Sequence, residues 1–222
     1  MLVDDGLSNE VLLSIVGVVV VVAAYLAGAR VLRRYVKFPA PSFVAHFLDS
    51  RFRKLMQPPR EIVERSGVRA AMTVMELGCG PGTYTIDIAR AVGDRGKVYA
   101  VDIKPAMIEK LEERMQRTEN RDVRNVTPKV ADAYELPFPE GYFDLAVVIC
   151  ALQEIPDRQR ALRELRRVLK PQGVLAVSEW APDPDYPLRR TPERICEQAG
   201  FRLRESRGGF FHYTLQFEKP AK

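Results

Sequence analysis

At 222 residues the chain is long enough for one sizeable domain plus an appendage. Its three cysteines (Cys79, Cys150 and Cys196) are scattered, with no Cys-x-x-Cys pair and only two histidines, which excludes a disulfide framework, argues against a structural zinc site and fits a reducing compartment. The net charge of +5 is local: ten basic residues face three acidic ones between Arg30 and Ala70, against 24 and 26 elsewhere, so the excess marks one segment and no nucleic-acid partner is expected.

Residues 1–10 carry Asp4, Asp5 and Glu10 and no basic residue. Val11 to Ala29 is then free of charge, and at ~1.5 Å per helical residue it spans nearly the ~30 Å of a bilayer's hydrocarbon core. This predicts a transmembrane helix. A cleaved signal peptide is the rival, with Ala27-Gly28-Ala29 as its cleavage site, but the basic n-region it needs is missing. Arg30, Arg33, Arg34 and Lys37 follow the stretch, so the positive-inside rule predicts a single-pass cell-membrane protein with a short extracytoplasmic tail and everything after residue 30 in the cytoplasm.

Residues 30–66 read as a basic juxtamembrane segment. Pro39 and Pro41 stiffen its start. A helix is expected from Ser42 to Leu55, with Phe43, Phe47, Leu48, Phe52 and Leu55 on one stripe and Arg51, Arg53 and Lys54 near its end. It suits either an anionic lipid surface or a cover for the following domain, and both together would make it a lid. Pro58-Pro59 ends it, and Arg60 to Ser66 forms a short helix leading into a domain over 67–222.

From Met72 onward strand-like and helix-like patterns alternate, the signature of a parallel sheet with crossover helices. Strands are expected at Thr73–Leu77, Lys97–Val101, Val126–Val130, Phe143–Ile149 and Gly173–Glu179, with helices at Thr83–Val92, Pro105–Thr118 and Arg158–Leu169. After Trp180 come a proline-rich loop, a helix at Thr191–Ala199, and a closing hairpin of strands at Phe201–Glu205 and Phe210–Phe217.

The first strand meets an acid and breaks into three alternating glycines: Val74-Met75-Glu76-Leu77-Gly78-Cys79-Gly80-Pro81-Gly82-Thr83. Such a turn brings the main chain and the next helix's free N–H groups against a ligand. A dinucleotide fingerprint needs a small third residue where Thr83 stands, and an acid two residues before Gly78 suits a cofactor that carries positive charge. Asp102, at the end of the second strand and twenty residues after Gly82, is placed to accept two ribose hydroxyls; capping the helix from Pro105 is its structural alternative. After the third strand comes Ala131-Asp132-Ala133-Tyr134-Glu135-Leu136-Pro137-Phe138, followed by Tyr142-Phe143-Asp144-Leu145-Ala146-Val147-Val148 and Leu169-Lys170-Pro171-Gln172-Gly173-Val174-Leu175.

In order and spacing these segments, over about residues 72–180, resemble the class I S-adenosylmethionine-dependent methyltransferases, and within them the ubiquinone/menaquinone-biosynthesis type that acts on small molecules and lipids. The resemblance implies a Rossmann-like α/β fold with a seven-stranded, mostly parallel sheet and a C-terminal antiparallel hairpin. It also implies S-adenosyl-L-methionine as cofactor, with Glu76, Gly78, Gly80, Gly82 and Tyr84 around the methionyl part. Asp102 would take the ribose, Ile103 one adenine face, Asp132 and Ala133 the adenine edge, and Cys150 would stand at the end of the fourth strand.

The Asn-Pro-Pro-Tyr segment of many amino-group methyltransferases is missing; Ile149-Cys150-Ala151-Leu152-Gln153-Glu154 stands there. Methyl transfer is an in-line displacement for which alignment supplies much of the acceleration, so no catalytic residue is assigned. Should the acceptor have to lose a proton, Glu154 is the best-placed base, with a cap for the Arg158 helix as its alternative. His46 and His212 read as packed or surface residues, and Arg189 and Arg190 either hold an anionic group of the acceptor or are solvated. The expected partners are a membrane lipid surface and a small-molecule or lipid acceptor. Two rival functions remain, a membrane-tethered NAD-dependent reductase and a non-catalytic S-adenosylmethionine-binding module.

Overall fold

The structure is a computed structural model describing residues 57–181 and 186–221, together with Leu13, Ser14, Val16, Gly17, Val20, Ala24 and Gly28. The chain forms two compact units, Met1–Pro39 and Ala40–Lys222.

In the first unit the seven described positions are helical and exposed. The expected membrane-spanning helix over 11–29, and the single-pass location built on it, require correction. Among the described residues no helix is long and apolar enough to cross a membrane. The remainder of that stretch, the tail over 1–10, the expected helix Ser42–Leu55 and His46 lie outside the described residues.

The second unit is a seven-stranded sheet in the order β3-β2-β1-β4-β5-β7-β6. Its strands are β1 Thr73–Leu77, β2 Lys97–Asp102, β3 Val126–Val130, β4 Phe143–Ile149, β5 Leu169–Trp180, β6 Arg202–Gly208 and β7 His212–Glu218. The first five run parallel, and β7 enters antiparallel between β5 and β6. The sheet expected from the alternating patterns is therefore present with its closing hairpin. Strands β1 and β4 are near-continuous apolar runs because the sheet is covered on both faces.

On one face lie α1 Pro59–Arg65, α2 Thr85–Val92 and α3 Pro105–Met115, joined in a core that includes Ile62, Ile88, Leu111 and Val147. On the other lie α4 Arg158–Val168 and α5 Arg190–Gln198, over Leu162, Leu165, Cys196 and Phe217. Helix α1 thus belongs to the domain's own core, with Ile62 fully buried. In α4 the apolar face Ala161, Leu162, Leu165 and Val168 is buried, and Asp157 caps the helix by accepting from the Arg160 N–H at 3.0 Å. That cap is the role Glu154 was given as its alternative.

Several boundaries differ from expectation, among them β6, which runs Arg202–Gly208 and not Phe201–Glu205, and α3, which ends at Met115 and not Thr118; three have a clear local cause. Strand β5 begins at Leu169 and not at Gly173, because Lys170-Pro171-Gln172-Gly173 is a bulge inside the strand, with Gln172 at φ 63° and a register shift against β4. Helix α2 starts at Thr85, two residues late, since Thr83 and Tyr84 complete the glycine turn. Strand β7 starts at His212, leaving Phe210 and Phe211 at the hairpin tip, where Gly208 turns the chain at φ 89°.

Candidate functional site

Because β1 to β4 are parallel, their C-terminal ends share one edge of the sheet. Glu76 to Gly82 leave β1 there, Asp102 and Ile103 leave β2, Asp132 and Ala133 follow β3, and Cys150 follows β4. Such an edge, where the strand order reverses between β1 and β4, is the usual ligand crevice of an open α/β sheet.

The three glycines divide into two kinds. All take positive φ, but a Cβ on Gly78 would lie 2.6 Å from Ala151 Cβ and one on Gly82 would lie 2.4 Å from Leu111 Cδ1, so both serve close packing. A Cβ on Gly80 would meet nothing within 4 Å. Gly80 is therefore the position that keeps the crevice open. Its N–H donates to Asp102 Oδ2 at 2.9 Å, while Lys104 N–H donates to Oδ1 at 2.9 Å. The Asp102 carboxylate ties the β1 turn to the β2 turn and retains lone pairs on both oxygens. It does not cap α3 directly; Lys104 holds the N-cap place without a side-chain bond.

These contacts separate the glycines experimentally. Gly78→Ala is expected to lower stability by about 1–3 kcal/mol through overpacking against Ala151. Gly80→Ala costs only the left-handed backbone, about 1 kcal/mol, yet should raise the Kd for S-adenosylhomocysteine at least about tenfold. Thermal unfolding and calorimetric titration of both variants check this.

Glu76 is 2% exposed and accepts a hydrogen bond from the Thr85 hydroxyl at 2.5 Å. Its pKa is pushed up to about 8, chiefly by burial, with the nearby Asp102 adding to the rise and Thr85 and Arg114 opposing it. A buried acid with so high a pKa gains strongly when a cation approaches. Ile103, in contrast, is 61% exposed beside Asp102, an apolar surface at the crevice mouth. Asp132 is exposed and bonded to its own turn through Tyr134 N–H at 2.9 Å. The segment after it is fastened from α4: Arg167 donates to the carbonyls of Leu136 and Phe138 at 2.9 and 2.8 Å and pairs with Glu164, which accepts from Leu136 N–H at 3.1 Å. Cys150 takes φ 51°, a left-handed conformation uncommon outside glycine, and its N–H is held by the Ser178 carbonyl at 2.8 Å.

Other candidates stand elsewhere. Tyr84 is buried in the α-helical core, its hydroxyl donating to Gln57 Oε1 at 2.5 Å. Cys79 and Cys196 are buried thiols whose pKa values are pushed far up by burial. Arg189 bonds the carbonyls of Gly208 and Gly209 at 3.1 and 3.0 Å and lies 5.2 Å over the Tyr213 ring, so it clamps the β6–β7 hairpin. His212 accepts from Arg65 Nη1 at Nδ1 (3.0 Å), and burial with that guanidinium brings its pKa down to about 4, which makes it a weak base. Glu154 is exposed on the short 3₁₀ turn Leu152–Glu154. Thr85, Ala151 and the Arg167–Glu164 pair went unnoticed in the sequence; only Thr85, in the first turn after a glycine run, carried a local signal.

A family model described as "Methyltransferase domain" matches residues 69–202. The chain belongs to this methyltransferase-domain family. Curated relatives include the ubiquinone/menaquinone biosynthesis C-methyltransferase UbiE of Shewanella sp. (strain W3-18-1), 37% identical over 59% of this chain and 51% of that protein. The UbiE of Proteus mirabilis is 40% identical over 55% of this chain and 48% of its own length. The chain thus spans about half the length of these relatives. Among solved structures, a SAM-dependent methyltransferase from Aquifex aeolicus superposes with a TM-score of 0.74 at 23% identity, covering 82% of this chain and all of that one. The [4+2]-cyclase SpnF shares the fold at a TM-score of 0.64 and 19% identity, over 74% of this chain and 80% of its own. The matched region is thus a methyltransferase domain by family, and it has the fold of solved S-adenosylmethionine-dependent methyltransferases.

Proposed function

We propose that this domain transfers a methyl group from S-adenosylmethionine to a carbon of an apolar small-molecule or lipid acceptor. What carries the reading is the conjunction at one sheet edge of a buried acid poised for a cation, an open glycine turn and a second acid beside an exposed isoleucine. The C-methyltransferase relatives, 37% identical over 134 residues, support the choice of carbon.

These residues fit the cofactor's chemistry. Glu76 would face the ammonium, Gly80 would admit the methionyl chain, Asp102 would accept from the ribose hydroxyls, Ile103 would cover one adenine face, and Asp132 with Ala133 would read the adenine edge. When bound, the cofactor supplies an electrophilic methyl on a sulfonium. The chain's part is to fix the acceptor in line, to exclude water, and to receive the proton that a methylated carbon releases. Glu154 is the first carboxylate after the end of β4 and the candidate for that proton. No acceptor role falls to His212 as a base or to Arg189 as an anion clamp, given their contacts.

A second reading, an S-adenosylmethionine-binding module that transfers no methyl group, is kept because the fold also hosts a cyclase, so the fold alone does not dictate methyl transfer. Labelled S-adenosylmethionine incubated with a total lipid extract separates the two. Label appearing in an extractable apolar product supports methyl transfer. No label, with S-adenosylhomocysteine binding established by titration, favours a binding module. Binding of NADH in preference to S-adenosylhomocysteine would overturn both.

A further inference from the structure

The hairpin between β6 and β7 presents four consecutive exposed residues, 208–211. Two of them are adjacent phenylalanines, Phe210 and Phe211, 66% and 72% exposed, with ring centroids 5.5 Å apart. Leu188, 64% exposed, lies on the neighbouring loop, and Tyr186 reaches the same patch with its ring 6.2 Å from Phe210 and its hydroxyl bonded to the Phe210 carbonyl. Arg189 fixes the tip by holding the Gly208 and Gly209 carbonyls. Exposed Arg190 and Arg194 follow on the first turns of α5, with Glu193 between them.

Leaving two phenylalanines in water forgoes the gain of burying them, and a rigid support holds them there. The tip is an exposed apolar pair, and the exposed Arg190 and Arg194 follow in sequence on Arg189, which holds it. A protein partner would have to offer a fitted pocket, whereas a lipid layer accepts such a wedge without one: aromatic rings enter the interfacial zone and arginines meet anionic headgroups. Position adds to the case. His212, the first residue of β7, pairs with Trp180, the last of β5, so the tip stands at the same end of the sheet as the glycine turn. Contact there would bring the crevice edge toward the layer in which an apolar acceptor dissolves.

We propose that the Phe210–Phe211 tip, with Arg190 and Arg194, docks on an anionic lipid surface. The docking does not rest on the methyl-transfer reading; only its use in collecting an apolar acceptor does. The chain's single tryptophan, Trp180, is 2% exposed, and its emission in the unsubstituted chain on the test vesicles is recorded as the background. In the full chain, F211W is mixed with phosphatidylcholine vesicles with or without phosphatidylglycerol, both carrying brominated acyl chains. The added indole should shift to the blue and be quenched on the anionic vesicles, and R190Q/R194Q in that background should raise the lipid concentration for half-maximal quenching about tenfold. An added indole that keeps its solvent-exposed emission on the anionic vesicles overturns the proposal, even if another segment recruits the chain. Titration of the same sample with S-adenosylhomocysteine reports the cofactor site separately, so failure of one reading is told from failure of the other.

Discussion

Glu76→Gln should weaken S-adenosylhomocysteine binding by about 1.5–3 kcal/mol, roughly ten- to a hundredfold in Kd, while leaving the fold intact. Glutamine keeps the shape and can still accept from Thr85, but it offers no charge to an ammonium. The pH dependence makes the assignment specific. In the free protein Glu76 holds its proton up to about pH 8, so binding a cation expels that proton, and affinity should rise by up to about tenfold per pH unit as pH climbs toward 8. The rise levels off once pH passes about 8, where Glu76 is already ionised in the free protein, and reverses where the ligand's own ammonium deprotonates. Stability runs the other way. The folded pKa lies above the ordinary 4.5, so the contribution of the neutral acid is complete below about pH 4.5 and is lost as pH rises to about 8. Glu76→Gln should therefore remove both slopes, gaining relative thermal stability above pH 8 while losing affinity. Titration and unfolding scans from pH 6 to 9 check it, and an unchanged Kd in the variant would take Glu76 out of the cofactor site.

Asp102→Asn should be costly in both respects. Each carboxylate oxygen accepts a backbone N–H, from Gly80 and from Lys104. An amide presents one oxygen and one NH₂, so one of those N–H groups would face another donor. Leaving a buried donor unmet costs about 1–3 kcal/mol of stability. The cofactor loses an acceptor for its ribose and meets a displaced glycine turn, so affinity should fall by about a hundredfold or more. Asp102→Ala should destabilise less than it impairs binding, because water can reach the freed N–H groups. Chemical denaturation together with ligand titration distinguishes a residue that both shapes the turn and binds from one that only binds.

The parallel sheet was legible because its signals are local: β1 and β4 are largely apolar runs bounded by turn residues, β3 is a short strand-like stretch between such residues, and the limits of all three agree with the structure. The glycine turn was legible for the same reason, and so was the placing of Asp102 at the end of the next strand. What escaped depends on residues distant in sequence. The bulge at Gln172 reads as a turn until β7 is seen to hold its N–H through the Lys219 carbonyl. Phe210 and Phe211 have strand-forming side chains, yet Gly208 and the pairing of Trp180 with His212 place them at the tip. Arg189 looked available for an anion, but carbonyls about twenty residues away claim it. The stretch over 11–29 reads as a span from its length, its freedom from charge and the basic residues that follow it, and among the described residues no membrane-crossing helix accompanies it.

The Arg167–Glu164 pair gives the crevice an unequal construction. Glu76 and Asp102 are buried, at 2% and 8% exposure, whereas the segment beside Asp132 is secured by side chains of α4 that remain 36% and 21% exposed. Ions in solution screen the second attachment and scarcely touch the first. Rising ionic strength would accordingly loosen the Asp132 end before the Glu76 end, and, on the proposed cofactor placement, discrimination among adenosine-like ligands would fade while the grip on the methionyl part persisted.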